Sequence, residues 1–172
     1  MSFLKRIFSD RRRDESLAPL YAAIVERGRD PCWYRDGGVP DSIDGRFDMI
    51  AALLALVLLR LEAAGEETRR ASILLTERFI DDMEGTVRQM GIGDQVVGKH
   101  VGKMMGALGG RLGAFRGAAP GSEAFEAAVR RNIFHEAPPC GSTLAFVTDR
   151  LSDLARRLAA APVPALLEGR MP

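Results

Sequence analysis

Residues 46–64 read RFDMIAALLALVLLRLEAA, and from Met49 to Leu59 every residue is apolar. A helix that crosses a bilayer needs about 20 apolar residues. This run is shorter, and Arg60 breaks it. The stretch therefore predicts a core helix from about Arg46 to Ala64, ended by Gly65, whose near-continuous apolar surface has to be buried on most sides.

The flanking sequence supplies the covering. Upstream, Leu17, Leu20, Tyr21, Ile24 and Val25 repeat at helical spacing until Gly28 and Pro31 stop them. Cys32 to Gly45 reads as a loop, because Gly37, Gly38, Pro40 and Gly45 punctuate it. Downstream, Glu66 to Met90 places Leu74, Leu75, Phe79, Ile80, Met83, Val87 and Met90 on one side. Gly91 and Gly93 make a turn, Asp94 is a plausible N-cap, and a further helix runs to about Ala118. Ser122 to Phe134 and Ser142 to Ala161 read as two more helices, separated by Pro138 and Pro139 and ended by Pro162 and Pro164. No apolar alternation of period two is bounded by turn residues. The expected fold is all-α, a single-domain bundle of about six helices over residues 15–161, with a basic amphipathic segment at 1–14 and a C-terminal tail at 162–172.

At 172 residues the chain fits one domain, and 47% hydrophobic with 27% charged residues is a globular composition. Twenty-four basic against 23 acidic residues give a net charge of +1, so no overall field draws the chain to nucleic acid. Cys32 and Cys140 lie far apart and suggest neither a disulfide framework nor a zinc ribbon, which fits a reduced, intracellular setting. The first eight residues are basic but hold no secretory h-region.

The search for chemistry returns little. His100 and His135 have no metal-ligating companions nearby in sequence, and Asp81, Asp82 and Glu84 lack the ExxH partner of helical di-iron sites and read as a solvated face. Ser72, Ser142 and Thr143 have no activating base beside them. Gly91-Ile92-Gly93-Asp94 completes no phosphate-binding fingerprint, and Asp41-Ser42-Ile43-Asp44-Gly45 lacks the remaining ligands of a calcium loop and reads as a turn and N-cap. No catalytic residue, metal or cofactor is assigned.

One pattern is expensive. Gly98, Gly102, Gly106 and Gly110 recur every four residues within a helix, each costing about 0.8–1 kcal/mol relative to alanine. Such a stripe fits two arrangements: close approach by another helix of the same domain, or one wall of a groove for a client helix. Met104 and Met105 suit an adaptable apolar surface, and Lys99, Lys103, Arg111 and Arg116 add positive charge. At the N-terminus, Phe3, Leu4, Ile7 and Phe8 fall at helical spacing among Lys5, Arg6 and Arg11 to Arg13, a pattern suited to an anionic membrane surface or to packing on the domain.

Three stretches carry a resemblance. They are Tyr34 to Phe47 with the apolar helix ending Arg60-Leu61; Phe79 to Glu84, continuing from Val87 through Asp94 to Lys99; and Val129 to Phe134. In order and spacing, over about Leu17 to Leu158, they resemble the ubiquinol-cytochrome c chaperones. The sequence departs from that family at Leu108-Gly109, where an aromatic pair is common, and at Leu53, where a histidine is common. The resemblance implies an all-helical assembly chaperone without enzyme activity that binds newly made cytochrome b and assists assembly of the ubiquinol-cytochrome c reductase (bc1) complex. The ribosome and a small partner protein are further candidate partners on the same grounds, and nucleic acid is not. The short N-terminus looks like a bacterial form, placed in the cytoplasm at the cytoplasmic face of the inner membrane. Expected client-binding residues are Asp41, Asp44, Arg46, Arg88, Met90, Asp94, Lys99, Gly102, Lys103, Met104, Met105, Gly106 and Arg131, and expected membrane contacts are Phe3, Leu4, Lys5, Arg6, Ile7 and Phe8. The competing reading is a helical binding protein for an apolar small molecule such as a quinone or a lipid, for which an enclosed pocket rather than an open groove is the discriminating feature.

Overall fold

A helix that is apolar on every side is stable in water only if other elements cover every side. The computed structural model describes residues 17–89, 94–135 and 140–172, with the backbone alone at 94–97. Among the described residues eight α-helices follow in chain order: α1 Ala18–Gly28, α2 Pro31–Arg35, α3 Ile43–Ala64, α4 Arg69–Gln89, α5 Asp94–Arg116, α6 Glu123–Ile133, α7 Gly141–Ala160 and α8 Val163–Leu167. A single 3-10 turn spans Glu66–Thr68, and there is no strand among them. The fold is the expected all-α bundle. The six long helices are those read from the sequence, and α2 and α8 are short additions.

The apolar stretch is α3, and every residue from Met49 to Leu58 is buried. It lies at the centre, packed against α1, α4, α5, α6 and α7. It begins three residues before the expected Arg46, because Ser42 accepts a hydrogen bond from the Gly45 amide at 3.1 Å and so caps the first turn. At the other end Gly65 takes φ +102, and the Thr68 hydroxyl donates to the carbonyls of Leu61 and Gly65 at 2.5 and 2.7 Å, satisfying acceptors the helix leaves open. Arg60, the charge that ends the apolar run, donates to the carbonyls of Leu158 and Ala161, both at 2.9 Å. One side chain thereby finishes the C-terminus of α7 and ties it to α3.

Part of the segment read as a loop is helical. Pro31 stops α1 but also starts α2, because Asp30 accepts from the Cys32 amide at 2.9 Å and Pro31 stands at the first helical position, where a missing N–H costs nothing. Buried Trp33 fixes this turn by donating from Nε1 to the Arg27 carbonyl at 2.7 Å. On α4 the buried residues are Leu75, Phe79, Met83 and Val87, one per turn, while Leu74 and Ile80 are only half buried. Beyond Pro162, in the stretch expected as a tail, α8 buries Leu166 and packs on α1.

Glycine has opposite meanings in two places. A Cβ on Gly45 would lie 2.0 Å from the Pro40 carbonyl oxygen, so the loop before α3 can cross the helix only because no side chain is there. Along α5, a Cβ at Gly98, Gly102, Gly106 or Gly110 would meet nothing within 4 Å. The close internal contact is therefore corrected: no helix of the described domain approaches this stripe, and the four glycines are exposed. Two substitutions test the contrast by thermal unfolding. Gly106→Ala is expected to raise stability by about 0.8–1 kcal/mol through helix propensity. Gly45→Ala, equally favoured by propensity, is expected to lower it by about 1–3 kcal/mol through overpacking against backbone. Equal shifts of the same sign would contradict the packing described.

Candidate functional site

Asp48 is the acid inside an otherwise apolar helix, and its partners come from α5 and from the end of α6. Its Oδ1 is hydrogen-bonded by Arg111 Nη2, and its Oδ2 lies 2.6 Å from His135 Nε2. Arg111 Nη2 also donates to the Asn132 carbonyl at 2.6 Å, its Nη1 donates to the Ala107 carbonyl at 3.1 Å, and its guanidinium sits 5.6 Å from the centre of the Phe47 ring. Asp48 and Arg111 are buried, at 4% and 3% exposure, whereas the imidazole of His135 is largely exposed and its backbone is left-handed at φ +49. Burial pushes the Asp48 carboxyl above its usual range, against the pull of Arg111 and His135, and pushes the Arg111 guanidinium down. A guanidinium does not give up its proton in a protein, so the pair is a sealed ion pair that fastens α3 to α5 and α6. Its chemistry is that of a brace rather than of a catalyst.

This brace was hidden from sequence reasoning. Arg111 is counted there with the surface charges of its helix, and His135 has no partner within reach of local spacing, since Asp48 lies 87 residues away. The one available signal is Asp48 itself, a carboxylate one turn into the most apolar helix of the chain. Asp82 is likewise not simply solvated: it is half buried and accepts from the Tyr21 hydroxyl at 2.7 Å, which joins α1 to α4. Burial, with that carboxylate beside it, pushes the Tyr21 phenol up.

Two open apolar grooves flank the C-terminal half of α5. The first, about 480 Å³, is lined by Leu56, Leu59, Ala63, Phe115, Phe125 and Ala155, with Arg60, Glu62 and Arg116 at its edges. The second, about 510 Å³, lies between α3, α4 and α5 over Leu58, Ile73 and Leu112, edged by Glu62, Glu66, Arg69 and Glu77. Glu62 lines both, and its pair with Arg116 at 2.9 Å stands between them. That pair is exposed, at 57% and 53% of the two side chains. An exposed pair of this kind is screened by solvent and contributes little to holding the helices together. A larger indentation of about 890 Å³ beside α1 is edged by Glu26, Arg29, Asp30 and Asp82 and is not an apolar surface of this kind.

The expected client-binding residues do not gather at one place. Asp41 and Arg46 pair with each other at 2.8 Å near the start of α3, where Asp44 is exposed in the first turn. Arg88 is bound to Glu84 at 2.7 Å, one turn away on α4. Lys99, Gly102, Lys103 and Gly106 are exposed on α5, while Met104 and Met105 are half buried against the core. Arg131 is exposed at the end of α6, in an indentation it shares with His135. Met90, the side chain of Asp94, and Phe3, Leu4, Lys5, Arg6, Ile7 and Phe8 lie outside the described residues. Among the described residues no helix is long and apolar enough to cross a membrane, and no group of three or more His, Cys, Asp or Glu is placed to hold a metal ion.

Comparison with known proteins adds a family and a structure. The family model for ubiquinol-cytochrome C chaperones matches residues 35–171. The fold is similar to the crystal structure of the Cbp3 homolog from Brucella abortus, with a TM-score of 0.81 and 25% sequence identity, over 99% of this chain and 95% of that one. A search of curated proteins gives no match.

The brace makes a prediction of its own. Asp48→Asn keeps the shape but leaves the Arg111 charge buried without its counterion, and breaking a buried pair in this way costs about 3–5 kcal/mol. Denaturant unfolding should show that loss. The double replacement Asp48→Leu with Arg111→Met should recover much of it, because an apolar pair of similar volume is often neutral in such sites. A double variant as weak as the single one would show that the charges do more than satisfy each other.

Proposed function

Since the chain belongs to the ubiquinol-cytochrome C chaperone family, we propose that it acts as an assembly chaperone for the bc1 complex, binding newly made cytochrome b as its client and catalysing no reaction. The observation that carries this reading is the pair of open apolar grooves beside α5 in a chain of that family. A chaperone for a membrane protein must cover apolar helices before they meet lipid, and an amphipathic or apolar helix laid in a groove is a common way to do so. An enclosed cavity would favour a quinone or lipid carrier; both grooves instead open to solvent along helix surfaces and can take a segment longer than themselves.

The exposed face of α5 with Gly102, Gly106, Lys99 and Lys103 is a further client contact on this reading, since the absence of side chains at the glycines lets a second helix come close. Its positive charge, together with the basic segment Phe3 to Phe8, supports peripheral association with the inner membrane on its cytoplasmic face, where anionic headgroups attract lysine and arginine. A ribosome or a small partner protein would stand at the same step, when the client emerges.

Two measurements follow. Deleting the gene should lower the haem b absorbance of membranes and the amount of assembled bc1 complex while cytochrome b messenger persists; normal spectra would count against the function. Ala159→Trp, placed at the edge of the first groove, should leave the melting temperature within the range of a surface change and reduce crosslinking of the chain to cytochrome b. Undiminished crosslinking would remove this groove from the client site.

A further inference from the structure

The second groove differs from the first in its charge. Its rim carries three carboxylates, Glu62, Glu66 and Glu77, against the single guanidinium of Arg69. Arg69 is held by Glu66 at 3.3 Å and Glu62 by Arg116 at 2.9 Å, whereas Glu77 forms no ion pair among the described residues. The first groove shares Glu62 but sets Arg60 and Arg116 beside it, so the excess of acid is confined to the second. Within that rim stands Ile73, 50% exposed, one of two large hydrophobic residues exposed to that degree among the described residues.

An apolar cleft edged with negative charge is complementary to an apolar helix that ends in lysine or arginine. Helices of membrane proteins carry those residues preferentially on their cytoplasmic flank. We propose that the second groove holds the cytoplasmic, Lys/Arg-flanked end of an apolar client helix, with Leu58, Ile73 and Leu112 taking the apolar turn and Glu77 and Glu62 facing the cations. The inference rests on the client-binding reading above and deepens it, because it makes the groove directional. The opposite end of such a helix, poor in cations or bearing carboxylates, would set like charge against like and be rejected. A protein that meets membrane helices from the cytoplasm thereby distinguishes the end that remains there from the end that crosses.

The test uses the full chain and two fluorescent synthetic peptides with one apolar helical sequence, ended in one case by lysines and in the other by glutamates, with binding followed by anisotropy. The lysine-ended peptide is expected to bind about tenfold tighter at low salt, and the preference should shrink as ionic strength rises. Glu77→Arg exchanges attraction for repulsion and should cut the preference by about fivefold. Ile73→Ser should weaken both peptides alike, and both variants, at exposed positions, should melt with the parent chain. Equal affinity for the two peptides, or a preference that Glu77→Arg leaves untouched, would overturn the proposal. So would tighter binding by a peptide of residues 1–14, which is itself apolar and basic and would then be the occupant. Capture of cytochrome b by the parent chain is measured alongside. Capture without peptide preference ends this proposal and leaves the chaperone reading in place; preference without capture supports a cation-selective groove and counts against cytochrome b as the client.

Discussion

Within the helix Ile43–Ala64 the stretch from Met49 to Leu59 is apolar all round, and that one constraint organises the molecule. A surface helix needs one neighbour; this one needs a ring of them, and α1, α4, α5, α6 and α7 supply it. Most of the stabilisation comes from that covering, since fully burying one leucine or isoleucine contributes roughly 1.5–3 kcal/mol and α3 buries a continuous run of them. Three polar contacts then decide how the ring closes: the Asp48–Arg111 pair near one end of α3, Arg60 on the last carbonyls of α7 near the other, and the Ser42 cap before both.

The grooves follow from the same arrangement. A helix at the centre of a ring leaves clefts where two covering helices diverge, and α5 diverges on both sides of its C-terminal half, from α4 on one and from α6 and α7 on the other. Ala63, Ala155 and Ala159 stand among the leucines of the first cleft. The brace through Arg111 ties α5 to α3 and to the end of α6, one turn before the Phe115 that lines the first groove.

The long helices were legible because their signals are local. Apolar spacing in α1, α4 and α7 and the glycine and proline stops are each contained in a few consecutive residues. The short helix Pro31–Arg35 was not, since four punctuating residues follow it and its order comes from the Asp30 cap and from Trp33 and Tyr34 docking on the carbonyls of Arg27 and Gly28. The internal packing of α5 was not legible. The glycine stripe suggested an internal contact from its cost alone, but sequence does not tell which face of a helix meets its neighbour. Here the core side of α5 carries Leu108, Arg111 and Phe115, and the glycines point away. Arg111 was misplaced for the complementary reason, that a charged residue is assumed to be solvated until its counterion is known, and that counterion is 63 residues distant. The grooves could not be read at all, because each is lined from at least three separate helices.

An assembly chaperone faces opposing demands: enough apolar surface to hold its client and too little to associate with itself. Exposed apolar patches on soluble monomers rarely exceed a few hundred Å². Dividing the surface into two clefts, with the exposed Glu62–Arg116 pair at their shared edge, meets both demands, since neither cleft alone forms an extended patch. The unequal rims add direction, acid around one cleft and two arginines beside the other, so an occupant spanning both would be read by charge as well as by apolar area. Each charge at the rims interrupts the apolar surface and, on the reading proposed above, also sets which end of a helix fits beside it.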